Sequence, residues 1–378
     1  MGTGAHRLGY IDWLRGFACL GMFEVHAYDA WLGGTARQGS FFRWSQFSGT
    51  LPAPLFVFLS GVACALVTDR MRRKGIADKK IALRMIRRGF EILALGLLFR
   101  LQEFLLAWPN APWTDLARVD VLNMIGLSIV GMGALCWITR KRAANAALAA
   151  LAATGIAMAT PPLWTTWSPN WLPWWLESYI NGVHTFGTPQ PWLFPMFPWS
   201  AFAFAGLAIG LVLFADWPAK HPAKAVGMLG AGGVGLFFLS RAMDANSIHL
   251  YASYDYWHTS PNFFLARLAV LLVLMFAGFA YCQWGPGKLR FSPLMQLGQT
   301  SLLVYWVHIE FVYGKFSILP KMAESIPMAS LGLAIIFVAM LLLSVARTRS
   351  KGRGREAWAW VKRRAGQLLG SEGTVTEG

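Results

Sequence analysis

Residues 262–284 read NFFLARLAVLLVLMFAGFAYCQW, a run in which Arg267 is the single charged side chain. A helix of about 20 apolar residues is long enough to cross the hydrocarbon core of a bilayer. Runs of this kind recur along nearly the whole chain, and no segment between them is long enough for a separate soluble domain. The sequence therefore predicts an integral membrane protein with one membrane domain.

The composition excludes an ordinary soluble globule. Of 378 residues, 56% are hydrophobic and only 14% are charged, which is too little polar side chain to cover a water-exposed surface. Inside lipid, backbone amides must be paired within their own segment or in a closed barrel, and the alternation typical of barrel strands is absent. We therefore expect an all-α fold, a polytopic helix bundle in the lipid bilayer.

Ten apolar runs are the predicted transmembrane helices, with eight or twelve as alternatives. They are Tyr10 to Tyr28, Leu51 to Thr68, Gly89 to Ala107, Val119 to Thr139, Ala143 to Thr160, Phe194 to Phe214, Ala225 to Arg241, Asn262 to Trp284, Leu297 to Phe316 and Met328 to Ala346.

The distribution of basic residues predicts the orientation of these helices. The formal charge of +16 could indicate nucleic-acid binding, but the charge is unevenly placed along the chain. With the N-terminus inside, 25 of the 34 Lys and Arg residues fall in inner segments and 7, Arg100 among them, in outer segments. Basic residues concentrate on the cytoplasmic side of membrane proteins, so both termini are expected in the cytoplasm and no nucleic-acid partner is expected.

The predicted domain boundary separates a membrane domain, 1–346, from a basic cytoplasmic tail, 347–378. The tail is expected to be partly disordered, apart from an amphipathic stretch around Trp358 to Leu369 that would lie on an anionic leaflet or be simply solvated. The four cysteines lie singly on four predicted spans, without metal-ligand spacing. No metal site is predicted.

The first predicted span carries several ionisable residues, which are costly in lipid and usually face a protein-lined cavity. Arg15 and His26 are eleven residues apart, so they share one helix face and lie about 16 Å apart along its axis. Asp12 can pair with Arg15, which would also suit a plain anchor at the inner boundary. Asp29, one turn after His26, is placed to hold and polarise the imidazole, as a general base requires.

Residues on three other spans reach the depth of His26. They are Asp120 and Asn123 on the fourth span, Trp199 on the sixth, and Ser301, Tyr305 and His308 along one face of the ninth. Each alone would more often be a cap, a kink or a buried hydrogen bond. Their shared depth predicts a site in the outer half of the membrane.

A second polar group is expected at the cytoplasmic side. Arg84 and Arg87 lie three residues apart at the start of the third span and are followed by Arg88. Guanidinium groups bind phosphates through paired, charge-assisted hydrogen bonds. An ordinary positive-inside loop explains the net charge of this segment, but not an arginine pair that runs into the helix.

These motifs resemble the transmembrane acyltransferase superfamily, particularly the branch typified by the catalytic domain of heparan-alpha-glucosaminide N-acetyltransferase and its bacterial relatives. IDWLRG at 11–16, followed by His26, is similar to the first-helix signature of that family, and Arg84-x-x-Arg87 to its third-helix arginine motif. Further similar blocks are PLFVFLSG at 54–61, DVLNMIG at 120–126, FPMFPW at 194–199 and LGQTSLLVYWVH at 297–308.

The resemblance implies transfer of an acyl group, often acetyl from cytoplasmic acetyl-CoA, to a sugar or other envelope acceptor on the far side. Acyl-CoA would be a co-substrate and no cofactor would be permanently bound. The implied location is a bacterial inner membrane, and a homodimer is left open.

The resemblance also implies roles for individual residues. By position it makes His26 the catalytic histidine and assigns Arg15, Arg84 and Arg87 to the donor. The placement of polar residues on the spans adds Asp29, Asp120, Asn123 and His308 to the catalytic group, Arg88 to the donor contacts, and Tyr305, Ser301 and Trp199 as oxyanion or acceptor contacts. In this scheme the extended pantetheine arm of CoA spans the ~16 Å between Arg15 and His26.

Two other classes of function stay open from the sequence. A permease or flippase would also place polar residues in spans, but broken helices and repeat symmetry would be expected near the midplane. A non-catalytic scaffold would need no combination of histidine and arginine. The Trp-rich outer segment from Pro161 to Trp192 suits sugar stacking, although tryptophan is also the usual residue of the membrane interface.

Overall fold

In the computed structural model, the described residues are 8–139, 141–182, 194–246, 250–251, 255–285 and 291–370, with the backbone alone for 351–370. This part of the chain contains helices and no β-strand, which confirms the all-α prediction. The helices are α1 Gly9–Trp31, α2 Gly34–Arg37, α3 Ser40–Ser48, α4 Pro52–Arg73, α5 Asp78–Ala107, α6 Val121–Ile138, α7 Arg142–Thr165, α8 Trp174–Asn181, α9 Met196–Leu213, α10 Asp216–Lys220, α11 Pro222–Asp244, α12 Pro261–Trp284, α13 Pro293–Gln299, α14 Ser301–Val312 and α15 Ile326–Gly370.

By length and apolar composition, 7 of the described helices can cross a membrane. They are α4, α6, α7, α9, α11, α12 and the first part of α15. The other predicted spans fall on α1 and α5, which carry several charged residues, and on the pair α13 and α14. The chain is therefore a polytopic helix bundle, while the number of ten spans and the cytoplasmic termini stay predictions.

The prediction of one continuous helix over Leu297 to Phe316 is wrong. The helix breaks at Thr300, whose φ of −124° and ψ of 24° separate α13 from α14. Two contacts hold the chain at the break. A Cβ on Gly298 would lie 1.8 Å from the Asp12 carbonyl oxygen, so α13 rests directly on the backbone of α1, and the Thr300 hydroxyl is 2.6 Å from the Ser344 hydroxyl.

Glycines allow close helix contacts between α5 and α6 and between α1 and α13. Cβ atoms on Gly89 and Gly96 of α5 would lie 2.7 Å from the Gly126 carbonyl oxygen and 2.6 Å from Asn123 Oδ1 on α6. At Gly16 a Cβ would lie 1.8 Å from the Leu294 carbonyl oxygen. Because α1 also packs against α4, α12, α14 and α15, its polar face lies inside the bundle.

The predicted boundary of the tail falls within a helix. The α15 backbone is continuous through Gly370, so no change of backbone conformation marks residue 346, and residues 371–378 lie outside the described part. The division into a membrane domain and a tail stays a prediction.

Candidate active site

A cavity of about 680 Å³ lies beside α1, and its walls are formed by α1, α4, α5, α6, α14 and Phe194. Arg15 and Arg88 line one part of it, and His26, Asp29 and Asp120 line another. Apolar side chains, including those of Met22, Phe56, Ile92, Ile125 and Leu302, complete the wall. The cavity therefore joins the two polar regions that the first span predicts.

Two histidines form the central contact of the site. His26 Nδ1 lies 3.0 Å from His308 Nε2, although the residues are 282 positions apart. The two rings are parallel, with centroids 5.2 Å apart. His308 is fully buried, whereas His26 is half-buried and lines the cavity. His26 is thus the member of the pair that a substrate can reach.

The hydrogen bonds of His308 determine which nitrogen of His26 is free. His308 Nδ1 lies 3.0 Å from the Val304 carbonyl oxygen, and since a carbonyl can only accept, Nδ1 donates. The rings around His308 are those of Phe23, Tyr305 and His26, an apolar setting that favours neutral imidazole. His308 Nε2 then accepts from His26 Nδ1, which leaves an unprotonated Nε2 on His26.

Asp29 does not hold the His26 ring, so the prediction that it does is wrong. Its carboxylate accepts a hydrogen bond of 2.8 Å from the Tyr313 hydroxyl and forms an ion pair of 3.0 Å with Arg37. The Tyr313 ring contacts His26 edge to face, with centroids 5.2 Å apart. Asp29 reaches His26 indirectly, through Tyr313, whose hydroxyl it accepts from and whose ring packs on His26.

Asp120 is engaged by Arg100, a residue that the sequence prediction assigned to an outer segment. Arg100 instead lies within α5, 8% exposed, and its Nε is 3.2 Å from an Asp120 carboxylate oxygen. Asp120 also caps α6 by accepting a bond from the Val121 amide. A charged side chain is costly inside a membrane span and usually has a function there, so the position of Arg100 within the third predicted span was a signal that could have identified it. Arg118 and Glu103 line the same region of the cavity.

A comparison with protein-family models identifies the family of the chain. The model of the heparan-alpha-glucosaminide N-acetyltransferase catalytic domain matches residues 7–239, which is more than half of the chain. The chain belongs to this family. It is therefore a multi-pass member of a membrane acetyltransferase family. Comparison with curated proteins gives no match.

The matched part of this N-acetyltransferase-family chain includes His26, Arg88 and Asp120. His308, Tyr305 and Tyr313 follow it in sequence and enter the site through α14. Their assignment to the site therefore rests on the geometry alone. Tyr305 and Ser301 both line the cavity, and their contact with the reacting atoms stays a prediction.

Two predicted site residues of this family member are turned away from the cavity. Asn123 is fully buried, and its side-chain amide donates to the Tyr179 hydroxyl at 2.9 Å. Burial raises the pKa of Tyr179, which therefore stays a neutral phenol. Trp199 packs on Phe194 and on the Arg267 guanidinium and is absent from the cavity wall. Both residues support the wall rather than line it, because their side chains project toward neighbouring segments.

Of the predicted donor arginines of this family member, two line the cavity and two do not. Arg88 lines the cavity, as does Arg15, which lies 3.9 Å from Asp12. Arg84 and Arg87 are exposed and do not line it. Gly89 faces α6, and around the α5 helix axis Arg84 lies about 140° and Arg87 about 160° from Gly89. Both arginines are therefore on the side of α5 opposite to α6. The glycine contacts with α6 fix this rotation.

In this family member, a hydrogen-bond network supports the part of the cavity wall formed by α5 and α14. Trp306 Nε1 donates to Gln102 Oε1 at 2.9 Å, so the Gln102 amide nitrogen must point the other way, where it donates to Glu310. Glu310 is 8% exposed, and Glu103 of α5 is its neighbour. The network fixes α14, which carries His308, against α5.

Proposed function

We propose that the chain transfers an acyl group, acetyl in the first instance, from cytoplasmic acyl-CoA to a sugar-containing or other polar acceptor on the outer side. The observation that carries this proposal is a cavity with His26 at one part of its wall and Arg15 and Arg88 at another. Membership of a membrane acetyltransferase family supports it. A bacterial inner membrane is the location that suits this activity.

His26 acts as the general base. Its Nε2 takes the proton from the acceptor hydroxyl or amine, and the acceptor atom attacks the thioester carbonyl carbon. The carbon–sulfur bond then breaks, and Nε2 returns the proton to the departing CoA thiolate. Tyr305 and Ser301 supply hydroxyl donors to the carbonyl oxygen as negative charge develops there.

Other side chains keep the base in position. His308 accepts the Nδ1 hydrogen of His26 and thereby fixes the tautomer with a free Nε2. Tyr313, held by Asp29, packs against the same ring. Asp120 and Arg100 give the acceptor end of the cavity a polar lining in which both charges are paired.

The overall proposal is tested by incubating membranes that contain the full chain with labelled acetyl-CoA and candidate envelope sugars. Label should appear in an acetylated acceptor, identified by mass analysis, and not in membranes from cells that lack the protein. Consumption of acetyl-CoA without transfer of label to any acceptor would contradict the proposal.

Replacement of His308 should show whether it acts through His26. His308→Leu removes the acceptor for the His26 Nδ1 hydrogen, so we expect a loss in kcat of about tenfold or more, with little change in KM for acetyl-CoA. His308→Gln keeps an acceptor oxygen and should recover most of the rate. Equal losses in the two variants would indicate a role in packing only.

One observation favours a second candidate function. The ninth predicted span breaks at Thr300, beside Ser301 of the cavity wall, and broken helices are typical of transporter sites. A transporter or flippase would move a small polar or lipid-linked solute across sealed vesicles without acetylating it. Transport of an unmodified acceptor into protein-containing vesicles, with no acetyl-CoA present, would favour this alternative.

A further inference from the structure

A second cavity, separate from the candidate active site, opens between α7, α9 and α11. Its volume is about 660 Å³, and its lining is apolar, with alanines of α7 on one side and Met228 and Leu229 of α11 on the other. Ala143 and Ala150 mark its extent along α7, about 10 Å by the rise of a helix. We call this cavity the alanine groove.

The groove exists because α7 and α11 do not close on each other. α7 packs along α9, and α11 packs along α12, so the two helices are neighbours without substantial contact. Ala147 and Ala150 face outward and are too small to fill the space between them. An ion-pair cluster, in which Arg73 and Arg142 share Asp69, fixes the ends of α4 and α7 at the mouth of the groove.

The mouth of the groove is basic. Trp217 and Pro218 of α10 form its edge, and three exposed lysines, Lys141, Lys220 and Lys224, are sequence neighbours of lining residues or lie on the same short segment. Within the described part of the chain, none of the three forms an ion pair. The one acidic residue of α10, Asp216, is 3.7 Å from Arg73. The mouth of the alanine groove therefore carries positively charged side chains beside an apolar lining.

We propose that the alanine groove binds one acyl chain of an anionic phospholipid, whose phosphate lies against Lys220 and Lys224. In a bilayer every apolar surface meets hydrocarbon, so the apolar wall alone would not select a lipid. Selection comes from the lysines, since each basic residue near the surface contributes about fivefold to the affinity for an anionic headgroup. The small side chains of α7 leave a groove in which one acyl chain of that lipid binds. The inference does not depend on the proposed acyl transfer.

Native mass spectrometry of the full chain tests the proposal. The protein, purified in a mild detergent, is titrated with phosphatidylglycerol or with phosphatidylcholine of the same chains. We expect phosphatidylglycerol to bind at least tenfold more tightly, and Lys220→Glu with Lys224→Glu to remove this preference. Ala147→Leu with Ala150→Leu fills the groove and should weaken phosphatidylglycerol binding while all lysines remain.

Lys79→Glu with Lys80→Glu is the matched control, because it reverses the same number of exposed charges at the start of α5, none of whose residues lines the groove. This variant should keep the preference. The proposal is overturned if both lipids bind the unmodified protein equally, if the control loses as much affinity as the Lys220 and Lys224 variant, or if groove filling has no effect. The proposal is also overturned if the protein is a dimer and groove filling changes its oligomeric state without changing lipid binding. In that case a second copy of the chain, and not a lipid, would occupy the groove.

Discussion

His26→Ala should lower the rate of acetyl transfer by about 10²–10⁴-fold, the range that a positioned general base contributes. The imidazole is the group that lines the cavity with a free Nε2, while its partner His308 is fully buried behind it. Without the His26 ring, His308 cannot extend to the acceptor, so no second base replaces it. The measurement is kcat with labelled acetyl-CoA and an acceptor identified in the membrane assay.

The control for this variant is His258→Ala, which removes an exposed histidine, bonded to Asp255, that does not line the cavity. We expect this control to keep full activity. Both variants should insert and fold, but His26→Ala loses the hydrogen bond to the buried His308 and should unfold at a lower temperature, so activities are compared at a temperature at which both variants are folded. Retention of activity by His26→Ala, in protein that is folded, would exclude the proposed mechanism.

From the sequence it is easier to predict which residues gather at the site than which side chains they contact there. The spacing of Arg15 and His26 along α1, and the helical spacing of Ser301, Tyr305 and His308, place them beside one cavity. Which side chain orients His26 depends on how closely α14 approaches α1. That approach is set by the helix break at Thr300 and by the contact of Gly298 with Asp12, neither of which follows from apolar periodicity.

The sequence prediction missed three site residues, Arg100, Glu103 and Tyr313, and only two of them carried a signal in the sequence. Arg100 and Glu103 lie within the third predicted span, and the cost of their charges in lipid was a usable signal. Tyr313 had no such signal, because a tyrosine near the outer end of a span is ordinary at a membrane interface. Its role in the site depends on a bond to Asp29, 284 positions away in the chain.

Helix rotation explains why Arg88 lines the cavity whereas Arg84 and Arg87 do not. Arg84 and Arg87 share a face, as the spacing indicates, but the face that meets α6 is fixed by Gly89 and Gly96. Glycines permit close approach, yet their spacing does not reveal which helix approaches. Only the packing of α5 against α6 places Arg88, and not the predicted pair, beside the cavity.

Arg88 and Arg87 therefore offer a matched test of the donor site. Both are exposed by more than half, and both bond to Glu91, at 3.0 Å and 3.3 Å, so either substitution removes one charge and one contact with the same carboxylate. Only Arg88 lines the cavity. We expect Arg88→Gln to weaken acetyl-CoA binding about tenfold, the lower end for a hydrogen bond to a charged group, because the site is partly solvated. Arg87→Gln should leave the affinity unchanged.

Arg15 extends this test to the other wall of the cavity. Arg15→Gln with Arg88→Gln should weaken acetyl-CoA binding about 100-fold if each arginine meets a different phosphate and the two effects add. Arg84→Gln with Arg87→Gln removes two charges from the far side of α5 and is the control. Dissociation constants measured by calorimetry on folded, purified protein distinguish the two pairs.

A loss of affinity in the Arg84 and Arg87 pair equal to that of the Arg15 and Arg88 pair would mean that acetyl-CoA responds to the total positive charge of this surface. Equal and unchanged affinities would mean that CoA phosphates bind elsewhere. A selective loss in the Arg15 and Arg88 pair is the result that a donor bound inside the cavity requires.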